Sequence, residues 1–327
     1  MKNMGTIILS MLMAVSILSC NRTDASSVET VVTDSSGVPT YKPAPEAFKS
    51  EIAQKGSMEE VTYSSKDPKG NAISKVAYVY LPYQYDKDKQ YDILYLMHGA
   101  MGNSGTMMGT TTSQTNLKRV IDNMINQKLI KPVIVVTPTV NVPGYDLNDD
   151  PPLMFQQEVG KYLIPAIESR YSTYAASVAE EDLIASRDHR SFGGFSMGST
   201  TTWLVLINNL AYFRNFIPIS GDCWAVERMG GVGKPEETAT LIAESIKSQG
   251  YSANDFFIFS ATGTDDIAYR GLTNQINEMK KLTDVFRFDY DSEKGNLYYM
   301  EAPNGQHDYN WVTDYLYDLL PYVFKNQ

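Results

Sequence analysis

From residue 59 to the C-terminus, short runs rich in Val, Ile and Tyr alternate with longer stretches of helical periodicity, and this restricts the fold more than any other property of the chain. Strands separated by helices are joined through crossovers, which build a mostly parallel sheet covered on both faces. An α/β architecture with a mostly parallel central sheet and helices on both faces is therefore expected. Residues 61–64 and 74–81 flank the turn-rich run Lys66-Asp67-Pro68-Lys69-Gly70-Asn71 and predict an antiparallel pair. A third strand spans 91–97 and ends at His98-Gly99, and Leu117, Ile121, Met124 and Ile125 then share one helical face. Residues 133–137 predict a buried strand, and Val159, Leu163, Ile164 and Ile167 mark the next helix. Strands follow at 216–219, 256–261 and 297–301, with a closing helix over 311–324. Residues 138–152 form a long Pro-, Gly-, Asn- and Asp-rich loop, either a lid or binding loop or a plain surface excursion.

The 327 residues suit one large domain, since a single core stops growing near this size. The formal charge of −10 repels nucleic acid and anionic lipid surfaces alike, so neutral substrates are expected. Residues 1–19 read as a secretory signal, with Lys2 before an apolar stretch too short to span a membrane. Ile17-Leu18-Ser19-Cys20 resembles a bacterial lipobox, which makes Cys20 the lipidated first residue of the mature chain and the lipid its sole membrane contact. Residues 20–50, poor in large apolar side chains and rich in Ser, Thr, Asp and Pro, read as a solvated tether with a reach of about 30 Å. The catalytic body is then 51–327. It is expected at the bacterial cell envelope, anchored in the outer membrane or secreted, as a monomer.

Gly194-Phe195-Ser196-Met197-Gly198 matches the G-x-S-x-G elbow, in which a tight strand-to-helix turn exposes a nucleophilic serine. Three fixed positions recur by chance in about one chain in ten of this length, so context has to decide. The helix after Ser196 would aim backbone N–H groups at an oxyanion. The strand before it is diluted by Gly193 and Gly194. In α/β-hydrolases the triad follows the chain order Ser, acid, His. Of three histidines, His98 and His189 precede Ser196, leaving His307 as the base. Asp265 and Asp266 both lie just past the strand at 256–261, and spacing does not choose between them. His98-Gly99-Ala100-Met101-Gly102 follows the third strand, so the amide of Ala100, or less readily Met101, would join that of Met197 as oxyanion donor; His98 itself reads as structural. No phosphate-binding glycine loop and no zinc-type ligand cluster are present, so no cofactor or metal is expected. Cys223 has no histidine placed to activate it and reads as a buried small hydrophobe.

In order, His98-Gly99, Gly193 to Gly198, Ser220-Gly221-Asp222-Cys223-Trp224, Thr262 to Tyr269 and Gly305-Gln306-His307 resemble the family 1 carbohydrate esterases, most of all the feruloyl esterase domains attached to bacterial xylanases. The likeness runs over residues 61–324. It implies the α/β-hydrolase fold and, as the acid, the second residue after Gly-Thr, which is Asp266. It also implies hydrolysis of hydroxycinnamoyl esters on feruloylated arabinoxylan, with the aromatic acid held by the segment of Asp222 and Trp224. A stacking indole is worth about 1 kcal/mol beyond burial, and a core tryptophan is the plainer alternative. Cys223 leaves the pocket's shape open. Tyr309 and Trp311 flank His307 and are placed at the same cleft or, as aromatics opening a helix, in the core. A triad sets reaction type and not acyl group, so an acetylxylan, siderophore-ester or other carboxylic ester hydrolase is the alternative; a surface glycan-binding lipoprotein without turnover is the alternative of another class.

Overall fold

A computed structural model describes residues 39–325; Cys20, the signal segment and the first part of the tether lie outside them. The eight strands are β1 (Ser57–Lys66), β2 (Ala72–Leu81), β3 (Asp92–Met97), β4 (Val133–Thr137), β5 (Arg190–Phe195), β6 (Asn215–Ile219), β7 (Phe257–Gly263) and β8 (Leu297–Ala302). They form one sheet in the order β1-β2-β4-β3-β5-β6-β7-β8. β1 and β2 pair antiparallel from Ser57↔Leu81 to Lys66↔Ala72, and β2 runs antiparallel to β4. All other neighbours are parallel. The loops that leave β3, β5, β7 and β8 therefore emerge at one edge, where open α/β sheets place their sites.

The helices are α1 (Asn116–Asn126), α2 (Pro151–Phe155), α3 (Ile164–Glu168), α4 (Glu180–Ala185), α5 (Met197–Asn209), α6 (Gly230–Gly233), α7 (Pro235–Ser248), α8 (Tyr269–Met279) and α9 (Tyr309–Val323). The side-chain period of two in β3 sorts them onto two faces. Ile93, Tyr95 and Met97 join a core with Trp203 of α5, Ile242 of α7 and Ile276 of α8. Leu94 and Leu96 join the opposite core with Ile121 of α1 and Leu316 of α9. Both sides of β3 and β4 are buried, which is why these strands read as unbroken apolar runs. The expected sheet with helices on both faces is thus present.

Two segments depart from expectation. The helix marked by Val159 to Ile167 is a π turn, Val159–Leu163, that feeds the short α3. Pro165 has no N–H to continue an α ladder, and the chain widens so that Leu163 N donates to Glu158 O and Ile164 N to Val159 O. The second departure is the tether, whose last part, residues 39–50, lies docked along α9 and α1. Lys42 N donates to Asp318 Oδ2 (2.9 Å), Ala44 N and the Tyr41 hydroxyl donate to the Asp314 carboxylate (both 3.1 Å), and Asn123 Nδ2 donates to the carbonyls of Phe48 and Ser50 (both 3.0 Å). The Tyr41 ring lies 5.3 Å from that of Trp311. Backbone and side-chain donors in this polar stretch find buried carboxylates on α9, a pairing that periodicity along the chain does not encode.

Candidate active site

β5 ends at Phe195, and Ser196 turns the chain into α5 with φ 57° and ψ −114°, a left-handed conformation unusual for a side-chain-bearing residue. Its amide is fixed to Ile219 O at the end of β6 (2.9 Å). The neighbouring glycines follow from close backbone approach. A Cβ on Gly198 would stand 2.4 Å from Met97 O, one on Gly194 would stand 2.6 Å from the Gly198 carbonyl, and one on Gly221 would stand 2.5 Å from Ser196 O. Gly193, which weakens β5 as a strand signal, faces Ile217 so closely that a Cβ there would lie 2.9 Å from the Ile217 Cβ.

The loops after β7 and β8 bring the other two groups in. A Cβ on Gly263 would collide with the Gly305 backbone at 2.1 Å, and Asn304 N donates to Thr264 Oγ1 (2.8 Å), so the two loops are in backbone contact. His307 Nε2 stands 2.8 Å from Ser196 Oγ, and His307 Nδ1 stands 2.7 Å from Asp266 Oδ1. A carboxylate only accepts; Nδ1 therefore carries the imidazole proton and Nε2 accepts from the serine hydroxyl. Asp266 is buried, and its Oδ1 also accepts from Ala268 N (2.7 Å). Asp265 is exposed, with its amide given to Gly305 O. Of the two carboxylates that spacing does not separate, Asp266 is the one that meets His307. The Phe195 ring packs on the His307 imidazole with centroids 4.5 Å apart.

Ala100 and Met101 lie in the turn closed by Gly102 N donating to Gly99 O (3.2 Å), and Met101 has φ 60°. A Cβ on Gly99 would come within 3.3 Å of Ser196 Cβ, so this loop abuts the serine, as Met197 does from the first turn of α5. His98 is buried behind the loop. Its Nδ1 bonds Gly99 O (2.7 Å) and its Nε2 bonds Thr139 Oγ1 (2.8 Å), while burial lowers its pKa. Sequence reasoning finds the position of His98 but not Thr139, which no motif marks.

Trp224 and Arg228 line a small cleft with Thr200 and Leu204 of α5 and with Asp150, Pro152 and Leu153. Asp150 and Pro152, at the end of the long 138–152 loop, thus share this cleft with the indole. Arg228 lies 5.0 Å over the Trp224 ring. Asp222 is buried beneath, with Oδ1 accepting from Trp224 Nε1 (3.2 Å) and Oδ2 from Gly231 N (2.7 Å). Asp222 thus braces the indole from within the chain. Cys223 is fully buried, burial pushes its thiol up to about 12, and its amide donates to Gln275 Oε1 (2.7 Å). Tyr309 keeps 36% of its surface exposed, with its hydroxyl accepting from Gly99 N (3.0 Å) and its ring edge-on to Phe195 at 5.0 Å.

The chain matches the Esterase family over residues 74–322. It is 41% identical over 286 residues to endo-1,4-beta-xylanase Y of Acetivibrio thermocellus, a match that takes in 87% of this chain and 24% of that much longer protein. Among solved structures, a variant of the feruloyl esterase module from Clostridium thermocellum complexed with sinapinate is 39% identical with a TM-score of 0.77, covering 88% of this chain and 95% of the module. A ferulic acid esterase of Anaeromyces mucronatus, 17% identical over 85% of this chain and 94% of its own with a TM-score of 0.63, shares the fold. Because the family match begins within β2 and ends within α9, it takes in each strand end from which a site residue projects, and the chain belongs to the Esterase family, built on the α/β-hydrolase fold.

Proposed function

We propose that the protein is a serine esterase that hydrolyses hydroxycinnamoyl, in particular feruloyl, esters on arabinoxylan or a related plant cell-wall polysaccharide. One observation carries the reaction type: an unbroken hydrogen-bonded path from the buried Asp266 through His307 to the Ser196 hydroxyl at the elbow. His307 Nε2 takes the Ser196 proton as Oγ attacks the ester carbonyl carbon, and the negative charge that forms on the carbonyl oxygen meets the amides of Ala100 and Met197. Collapse breaks the ester C–O bond, and the departing sugar oxygen takes the proton from His307. Water then attacks the acyl-enzyme by the same relay and releases the free acid. Asp266, through its bond to Nδ1, holds the imidazole tautomer and stabilises the imidazolium.

The acyl group is argued from two supports. A relative 39% identical to this chain is a feruloyl esterase module complexed with sinapinate, itself a hydroxycinnamate. A small cleft lined by Thr200 and Leu204 of α5, the helix that follows the elbow, includes the Trp224 indole. Ser196→Ala is expected to lower kcat on methyl ferulate by at least about a thousandfold. Activity within a few-fold of the parent would remove Ser196 from its role, and a parent that turns over an aryl acetate but not methyl ferulate would keep the esterase and discard the feruloyl assignment.

A further inference from the structure

An oxyanion donor lowers the barrier only if its dipole is already fixed when charge develops, so whatever holds the loop after β3 contributes to the rate. Gly99 is the residue through which that loop is held. Its carbonyl accepts from His98 Nδ1 (2.7 Å) and from Gly102 N (3.2 Å). Its amide donates to a side chain 210 positions away, the hydroxyl of Tyr309 (3.0 Å). Tyr309 opens α9 directly behind the His307 loop, where Asp308 caps the helix by accepting from Asn310 N and Trp311 N. A Cβ placed on Gly99 would lie 3.3 Å from both the Tyr309 hydroxyl and Ser196 Cβ, so Gly99 touches both. The Tyr309 ring is fixed in turn, edge-on to Phe195 at 5.0 Å, and Phe195 packs on the His307 imidazole at 4.5 Å.

We propose that Tyr309 is a positioning residue of the oxyanion loop: by accepting the Gly99 amide, its hydroxyl fixes the peptide plane next to the Ala100 donor and ties that loop to the helix that follows the base. This rests on the esterase reading above. It differs from the sequence-based placement of Tyr309 as a wall of the acyl cleft, and the two roles diverge in kinetics. The carbonyl oxygen is common to all esters, whereas contact with the acid is felt only by esters of that acid.

Tyr309→Phe keeps the ring on Phe195 and removes only the acceptor. The expected result is a fall in kcat of about ten- to a hundredfold on methyl ferulate and an equal fall on 4-nitrophenyl acetate, with KM for each within about twofold of the parent. Thermal melting and near-ultraviolet circular dichroism of the same variant show whether it folds as the parent does, and Tyr309→His, which keeps a ring and a group able to accept, is expected to recover part of the lost kcat. A loss confined to methyl ferulate, or carried by KM, would assign Tyr309 to the acyl cleft and overturn the proposal, as would a variant indistinguishable from the parent on both esters. If the parent is inactive on methyl ferulate yet active on the acetate, the substrate assignment fails while Tyr309 is still tested on the acetate.

Discussion

Asp266 receives two donors on a single oxygen, Oδ1, from His307 Nδ1 and from the Ala268 amide, each at 2.7 Å. A carboxylate in that position selects the Nδ1-protonated imidazole and leaves Nε2 free to accept from Ser196. Asparagine in its place offers a nearly isosteric group without the charge, and an amide turned to donate would select the opposite tautomer. Asp266→Asn is therefore expected to lower kcat on an aryl acetate by about a thousand- to ten-thousandfold with little change in melting temperature. Asp265→Asn, which alters an exposed carboxylate one residue away, should stay within about twofold; equal losses in the two variants would sink the assignment. The meeting of Ser196 and His307 is legible in the sequence because an elbow motif and the chain order leave a single candidate base. The choice between Asp265 and Asp266 is not legible from spacing, because adjacent residues differ only in which one the Gly263–Gly305 contact turns inward.

β5 carries the serine, and its opposite end is anchored by a buried ion pair. Arg190 Nε and Nη2 bond the two oxygens of Glu168 on α3 at 2.6 and 2.9 Å. The remaining guanidinium hydrogens go to Leu183 O, Tyr212 O and Ser186 Oγ, while Glu168 also accepts from the hydroxyls of Tyr95 and Thr173. Pairs this fully bonded offset their desolvation, but each partner is stranded if the other is removed. Arg190→Met is expected to cost about 3–5 kcal/mol in urea unfolding, and adding Glu168→Leu should restore most of that. A single variant as stable as the parent would show that the pair does not hold β5. The two glycines of this strand lower its β-preference in sequence, yet they are required: Gly193 gives way to Ile217 of β6 and Gly194 to the first turn of α5. Propensity rules count side chains along one segment and do not register a neighbour's backbone.

Across the molecule, residues 39–50 dock on α9, the helix that follows His307. Burial pushes the Asp318 carboxyl up to about 8, against the Lys42 amide, which pulls it down, and burial raises Asp314 as well. An unfolded chain releases these protons near pH 4, whereas the folded one retains that of Asp318 until about pH 8. The folded state therefore binds more protons over that interval, and this contribution to stability falls as pH rises from about 4 to about 8. Asp318→Asn keeps an oxygen for Lys42 N–H and no longer titrates. Its urea midpoint should decline less than the parent's between pH 5 and pH 8; parallel declines would show that Asp318 is not the source.

Periodicity, a short turn motif and chain order suffice for the α/β class, the antiparallel entry into a parallel sheet and the pairing of Ser196 with His307, because all of that information is written locally along the chain. Which aspartate faces the imidazole, why two glycines sit in a central strand, how Tyr309 reaches Gly99 and why a polar arm docks on α9 are settled by packing alone. Asp266 and His307 are 41 residues apart, Gly99 and Tyr309 are 210 apart, and Lys42 and Asp318 are 276 apart, yet each pair meets within bonding distance. Such proximity is a property of the assembled sheet and the helices laid against it, and of no single segment of the chain.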